Sequence, residues 1–137
     1  MASDFPDYLT AALPRFKSDR PKGFKCKKSF NSRKKDSDGI LAEHPDKLPI
    51  IVERYKDEMG LPVLDKIKYL VPFEMTLGTL SSIIRKRLQL NSTQTLFLIV
   101  NQKNVFCAST PLGEIYAAEK DNDGFLYIVY ASQEVFG

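Results

Sequence analysis

Apolar positions along this chain follow two different periods. The stretch LPIIVERY, residues 48–55, is β-branched and apolar and reads as a strand, with Pro49 near its start, where proline is tolerated. DKIKYLVP, residues 65–72, alternates Lys66, Lys68 and Leu70 against Ile67, Tyr69 and Val71. Lysines along a short strand closed by Pro72 are what a sheet edge carries. From Leu77 to Leu88 the period becomes helical, with Leu77, Leu80, Ile83, Ile84 and Leu88 on one face. Thr76 supplies an N-cap, and Arg85, Lys86 and Arg87 suit the negative end of the helix dipole. LFLIVN (96–101) and FLYIVYAS (125–132) read as two more strands, and PLGEIYAAE (111–119) as a short helical turn. DNDG (121–124) resembles part of a calcium loop, but the glutamate that closes such a loop is missing, so it reads as a plain turn.

Upstream, Phe24 to His44 predicts two short helices, FKCKKSF and KKDSDGILAEH, the second turning Ile40 and Leu41 inward. Gly39 weakens that helix by about 1 kcal/mol relative to alanine. HPDKLP then breaks the pattern, and His44 before Pro45 reads as a helix end. The order after residue 45 is therefore ββαββ, an α+β arrangement. A hairpin, a helix across one sheet face and a last strand beside the first give a ubiquitin-like β-grasp roll with two additional N-terminal helices. That layout sends the C-terminal tail out of a central strand and places Gly137 in solvent.

The expected organisation is an N-terminal extension, residues 1–23, followed by one domain over residues 24–137. Within it lie a helical part (24–44), the β-grasp (45–132) and a tail (133–137). In the extension Phe5, Tyr8, Leu9, Ala12, Leu13 and Phe16 fall at helical spacing, Pro14 ends the pattern and PKG at 21–23 breaks it. An amphipathic helix is compatible with this spacing; disorder in solution is the default.

Composition and charge narrow the function. The chain has 137 residues, 43% of them hydrophobic, which suffices for one core. No apolar run approaches the roughly 18 residues of a membrane span. The first residues carry acids where a secretory signal carries bases, so export is not expected. Cys26 and Cys107 stand far apart with no metal-site spacing and read as unpaired thiols in a reducing cytoplasm. Between Arg15 and Lys35 lie ten bases and one acid, a local charge of +9; the rest carries ten bases and sixteen acids, −6. Such a stripe fits an acidic partner: a phosphate backbone, an anionic lipid surface or an acidic peptide. A solvated helix face explains it equally well.

No catalytic constellation is legible. There is one histidine, neither cysteine has a base in view, the carboxylates fall on predicted surfaces and turns, and no glycine-rich phosphate loop occurs. The chain reads as a non-enzyme without cofactor or metal. What remains are the strand edge at 66–71, open to a partner strand, and the terminal glycine. A carboxylate on glycine is unobstructed by a side chain when an enzyme thiol and then an amine attack it.

The stretches KLPIIVERY, LPVLDKIKYLVP, IIRKRLQLN and DGFLYIVYASQEVFG carry a resemblance. From about Phe24 to Gly137 the chain resembles the ubiquitin-like autophagy modifiers, on the microtubule-associated light chain 3 side of that family. The resemblance implies cleavage after the glycine by a cysteine protease, passage through activating and conjugating enzymes, and an amide to phosphatidylethanolamine on the autophagosome membrane. It implies a cytoplasmic protein that becomes membrane-bound and recruits cargo receptors and adaptors bearing an aromatic-x-x-aliphatic motif with acidic neighbours (the LIR motif). Gly137 is the matching conjugation point. The aromatic pocket falls on Ile40, Pro49, Ile51, Lys68, Leu70 and Phe125. The aliphatic pocket falls on Tyr69, Val71, Pro72, Leu80, Ile83 and Arg87. Lys27, Lys28, Lys66 and Lys68 meet the acidic residues. Read from the residues alone, Leu80, Ile83 and Phe125 are more simply core positions.

This chain departs from the pattern in places. Lys27 and Lys28 stand where that branch usually has arginines, which gives up the bidentate fork. Gly39 sits beside Ile40, Val135 replaces a more usual polar residue, and the extension is longer than in the commonest members. Microtubules are a further partner the resemblance admits. A different reading, a cytoskeletal or nucleic-acid binding module acting through residues 15–35, needs steep salt dependence. The amphipathic spacing of the extension fits a segment that touches membrane or folds back over the pocket, so deleting residues 1–23 is expected to change liposome tethering or peptide affinity; no change in either removes both roles.

Overall fold

The computed structural model describes residues 23–102 and 104–133, so the readings made for residues 1–22 and for Gly137 lie outside the described residues. Helix α1 spans Phe24–Lys27 and α2 spans Phe30–Glu43. The second helix thus begins four residues before the expected Lys34. Ser29 adopts extended backbone and accepts the Ser32 N–H at 3.1 Å, which starts α2 there and truncates α1. His44 closes α2, donating its N–H to the Ile40 carbonyl at 2.8 Å.

Strand β1 is Lys47–Arg54 and β2 is Lys68–Pro72. Strand β2 starts later than the pattern predicts: past the Ile51–Lys68 pair only one further bond, Val52 N–H to the Ile67 carbonyl, holds the two chains together. Helix α3 is Leu77–Leu88, capped by Thr76, which accepts the Thr79 N–H at 3.2 Å, and ended by Gln89 in the left-handed region at φ 57°. Strand β3 is Phe97–Val100, α4 is Leu112–Glu119 and β4 is Leu126–Ala131.

The sheet order is β2-β1-β4-β3, with β1 and β4 parallel at the centre and the outer pairs antiparallel. Alternation sorts the strand residues onto two faces. Leu48, Ile50, Val52, Tyr69, Val71, Leu126, Ile128 and Tyr130 pack with Leu80 and Ile84 of α3 and Leu112 and Ile115 of α4 into the main core. On the opposite face Ile51 and Phe125 pack with Phe24, and Ile40, Ile67 and Tyr127 lean on them. Phe24 meets Phe125 edge-on with ring centroids 5.2 Å apart. Strand β1 is buried from Leu48 through Val52 because both faces are covered, which is why it reads as a continuous apolar run rather than an alternating one.

Polar contacts set the helical pair on its face. Arg33 of α2 pairs with Asp123, and Ser37 donates to the Asp123 carbonyl. Asp123 is fully buried; its carboxylate also accepts the Tyr127 hydroxyl at 2.5 Å and the Phe125 N–H at 2.8 Å. Burial and this carboxylate together hold the Tyr127 hydroxyl well above the ordinary phenol range. Gly124 follows at φ 93°, and a Cβ there would strike the Ser37 side chain. The α2 residue turned fully inward is therefore Ser37, not Leu41, which is only partly buried and belongs to neither apolar cluster. At the start of α1 the Phe24 N–H donates to Glu53 at 2.8 Å; burial pushes the Glu53 carboxyl up, against the pull of that bond and of Lys27. Glu58 and Asp123 lie in the expected turns, 55–62 and 121–124, yet both are fully buried there, each carboxylate accepting several donors.

Gly39 lies in the interior of α2 with nothing within 4 Å of where a Cβ would sit. Gly39→Ala is expected to raise stability by about 1 kcal/mol and the melting temperature by about 4 °C. Scanning calorimetry checks this; an unchanged or lower Tm would show that the helix needs glycine there.

Candidate functional site

The sheet order leaves β2 with β1 on one side and, among the described residues, no strand on the other. The residues expected to form two pockets divide across this strand. Register pairs Pro49 with Leu70 and Ile51 with Lys68, and alternation puts all four on the α1–α2 face together with Phe125 and Ile40. Tyr69 and Val71 point to the other face, where Leu80 of α3 is also buried. Ile83 and Pro72 are half-buried, and Arg87 is exposed and reaches Asp65 at 3.2 Å. The two groups therefore flank one edge strand, one from each side of the sheet.

Their exposure differs sharply. Ile51, Leu80 and Phe125 are each 0% exposed, and Pro49, Tyr69 and Val71 are buried. They back the edge rather than offer surface in this conformation. Leu70, at 40%, is the large apolar side chain that β2 presents to solvent. The Tyr69 hydroxyl is buried with no hydrogen-bond partner among the described residues, and burial raises its pKa despite the nearby Arg87 charge.

The lysines are engaged. Lys68 Nζ lies 2.6 Å from an Asp36 carboxylate oxygen and Lys28 Nζ 3.6 Å from the same oxygen. Both ammonium groups also sit over the Phe24 ring, at 5.8 and 5.4 Å. Lys66 lies over the Tyr69 ring at 5.3 Å, and Lys27 contributes positive charge beside Glu53. Burial pushes the Asp36 carboxyl up, but the Lys68 bond and charge, aided by Lys28, outweigh it and hold the group below the usual carboxylate range. Asp36 thus occupies the cations that an incoming acid would seek. Sequence reasoning passed over it. The clue was its spacing: Asp36 is four residues before Ile40 and shares its helix face.

The basic stripe is partly neutralised in the same way. Lys25 pairs with Asp121 at 2.7 Å, Lys34 with Asp38 at 2.6 Å, and Arg33 with Asp123. At the other end of the sheet β4 runs out through Ser132 and Gln133, and Gln133 donates its N–H to the Thr95 hydroxyl at 2.9 Å. Cys26 and Cys107 are exposed; the Ser109 hydroxyl 3.2 Å from Cys107 Sγ holds that thiol below its ordinary pKa. Among the described residues no helix is long and apolar enough to cross a membrane, and no cluster of three metal-ligating side chains occurs.

A mixed four-stranded sheet with α3 across one face and a parallel central pair defines a ubiquitin-like protein. Comparison with known proteins gives the family. The model described as autophagy protein Atg8 ubiquitin like matches residues 32–137. Protein lgg-2 of Caenorhabditis elegans is 41% identical over 130 residues, 95% of this chain and 94% of that protein. Human microtubule-associated protein 1 light chain 3 gamma is 48% identical over 114 residues, 83% of this chain and 78% of that protein. The crystal structure of Trypanosoma brucei ATG8 matches with a TM-score of 0.75 at 38% identity, covering 82% of this chain and 95% of that one. The chain belongs to the Atg8 family of ubiquitin-like autophagy proteins, on its light chain 3 branch.

The division of pocket residues into surface and backing has a direct consequence. Leu70→Ala is expected to change stability by no more than about 0.5 kcal/mol. Leu80→Ala, fully buried in the main core, costs about 2–5 kcal/mol. Urea unfolding of the two variants checks this, and equal losses would contradict the assignment of Leu70 to the open surface.

Proposed function

We propose that this chain is a membrane tag and docking module: conjugated through Gly137 to phosphatidylethanolamine on autophagosomal membranes, and gripped along β2 by cargo receptors and adaptors. The observation that carries the reading is the edge of β2, which no described strand covers, flanked by an apolar cluster on each side of the sheet and by lysines. An extended peptide adds to the edge through its main chain. Its aromatic residue enters on the side of Ile40, Pro49, Ile51, Lys68, Leu70 and Phe125, and its aliphatic residue on the side of Tyr69, Val71, Pro72, Leu80, Ile83 and Arg87. Acidic neighbours displace Asp36 from Lys68 and Lys28 and meet Lys27 and Lys66.

The energetics suit a reversible grip. One aromatic anchor buries about 150–250 Å², worth roughly 4–6 kcal/mol at about 25 cal/mol/Å². Two anchors, less the cost of ordering a flexible peptide, leave micromolar binding. Tethering many copies to one membrane multiplies it through avidity.

The glycine end works by acyl transfer. Where residues follow Gly137, a processing cysteine protease removes them and frees its carboxyl. On an activating enzyme the carboxylate attacks the α-phosphate of a nucleoside triphosphate, forming the acyl nucleotide and releasing pyrophosphate. An enzyme thiolate then displaces the nucleotide to form a thioester. The lipid amine attacks that carbonyl, loses a proton and expels the thiolate, leaving an amide. The chain is the acyl donor, not the catalyst, and cycles between cytoplasm and membrane. The competing reading, a basic stripe at residues 15–35 for nucleic acid or the cytoskeleton, loses one of its cations, since Arg33 is tied to the buried Asp123.

Two experiments test the reading. Gly137→Ala is expected to abolish conjugation to amine-bearing liposomes by purified activating and conjugating enzymes while leaving the melting curve intact; retained conjugation overturns the tag. In titration calorimetry Lys68→Ala weakens an acidic-flanked aromatic-x-x-aliphatic peptide and Leu70→Ala weakens it more; unchanged affinity in both overturns the docking assignment.

A further inference from the structure

Glu58 is a fully buried carboxylate that takes no part in either pocket. It lies in the loop after β1, and it faces the end of β4. Its Oε1 accepts the Ser132 N–H at 2.7 Å and the Ser132 hydroxyl at 3.0 Å. Its Oε2 accepts the Gly60 N–H at 2.9 Å and the Leu61 N–H at 3.0 Å, and lies 3.0 Å from the same Ser132 hydroxyl. A carboxylate is an acceptor-only group with two oxygens and about four lone-pair sites, and here those sites are filled from two chain segments. Bonds to an ionised acceptor are shorter and stronger than neutral ones.

The position matters as much as the count. The β1–β4 ladder ends at Arg54 and Tyr130, with one more bond from the Tyr55 N–H to the Tyr130 carbonyl. The β3–β4 ladder ends at Phe97 and Ala131. Beyond those points side chains replace the sheet: Glu58 takes the Ser132 N–H and Thr95 takes the Gln133 N–H. The loop that carries Glu58 is itself fastened to β4, since the Tyr130 hydroxyl donates to the Pro62 carbonyl at 2.6 Å and accepts the Leu64 N–H at 3.0 Å. The chain after β4 therefore leaves the domain between two side chains, Glu58 on a braced loop and Thr95 just before β3.

We propose that Glu58 is the positioning residue for the C-terminal tail: by gripping Ser132 it fixes where and in what direction the tail departs, and so how readily the enzymes of conjugation capture the Gly137 carboxyl. This rests on the conjugation reading above. Gly137 is the fourth residue after Gln133, a reach of at most about 14 Å when fully extended. On so short a leash, a swing at the base displaces the far carboxyl by a comparable distance, and an ångström of misplacement is costly in a docked reaction.

The test uses the full chain with purified activating and conjugating enzymes. Glu58→Gln keeps the shape but turns one acceptor oxygen into a donor; the arrangement that keeps the Gly60 and Leu61 N–H groups bonded leaves the Ser132 N–H without an acceptor. The expected result is faster hydrogen exchange at Ser132 and Gln133, and thioester formation slowed about tenfold at low enzyme, recovering at saturating enzyme, because capture and not chemistry is impaired. Affinity for an acidic-flanked aromatic peptide at β2 stays unchanged. Ser132→Ala removes the hydroxyl bonds and keeps the backbone one, so it slows capture about threefold; it decides the matter alone if Glu58→Gln does not fold. Unchanged thioester rates in the folded variants, or an equal loss of peptide affinity, overturn the positioning role while leaving conjugation standing. Failure of the unaltered chain to form a thioester overturns both.

Discussion

The parallel pairing of β1 with β4 at the centre of the sheet is the constraint on which the rest of the structure depends. A strand in that position is covered on both faces, and its sequence meets the demand: Leu48, Ile50 and Val52 on one side, Pro49 and Ile51 on the other. Each face then needs its own layer. Helices α3 and α4 supply one, and α1 and α2 supply the other. Because the centre is occupied, β2 falls at an edge, and the chain after β4 leaves from the middle of the sheet rather than from its rim. One pairing thereby sets both ends of the proposed function, an open strand for partners and a braced exit for the tail.

Buried carboxylates fasten the peripheral pieces to this centre. Desolvating a charge is expensive unless its lone pairs are satisfied, as they are at the fully buried Asp123 and Glu58. Asp123 ties α2 to the turn before β4, Glu53 takes the first N–H of α1, and Glu58 holds the end of β4. Asp36 differs: its partners Lys68 and Lys28 are partly solvated, so that pair is worth little to stability. A weak internal pair is suited to exchange, since a peptide acid can take its place at small cost.

Much of this was legible in the sequence, for identifiable reasons. Helix α3 declared itself because Thr76, the apolar stripe from Leu77 to Leu88 and the basic last turn agree with one another. The edge character of β2 followed from Lys66, Lys68 and Leu70 alternating with Ile67, Tyr69 and Val71. The start of α2 was misplaced because Ser29 as a cap outweighs the local pattern that pointed to Lys34. The turn positions of Asp123 and Glu58 are legible, but their burial is not, because charge pattern alone does not reveal which donors converge from Arg33, Tyr127, Ser132 and Leu61, up to 90 residues away in sequence. Residues such as Ile51 and Phe125 could be grouped from the sequence, but their complete burial beneath Phe24 depends on helix packing that no linear pattern encodes.

The central claim, that partners dock along β2, is tested most directly by residue-resolved hydrogen exchange with and without a saturating aromatic-x-x-aliphatic peptide carrying acidic neighbours. The account predicts slowed exchange at those amides of Lys68, Tyr69, Leu70 and Val71 not already bonded to β1, with β3 unaffected. Protection confined to β3, or bound peptide with β2 exchanging as before, would contradict it.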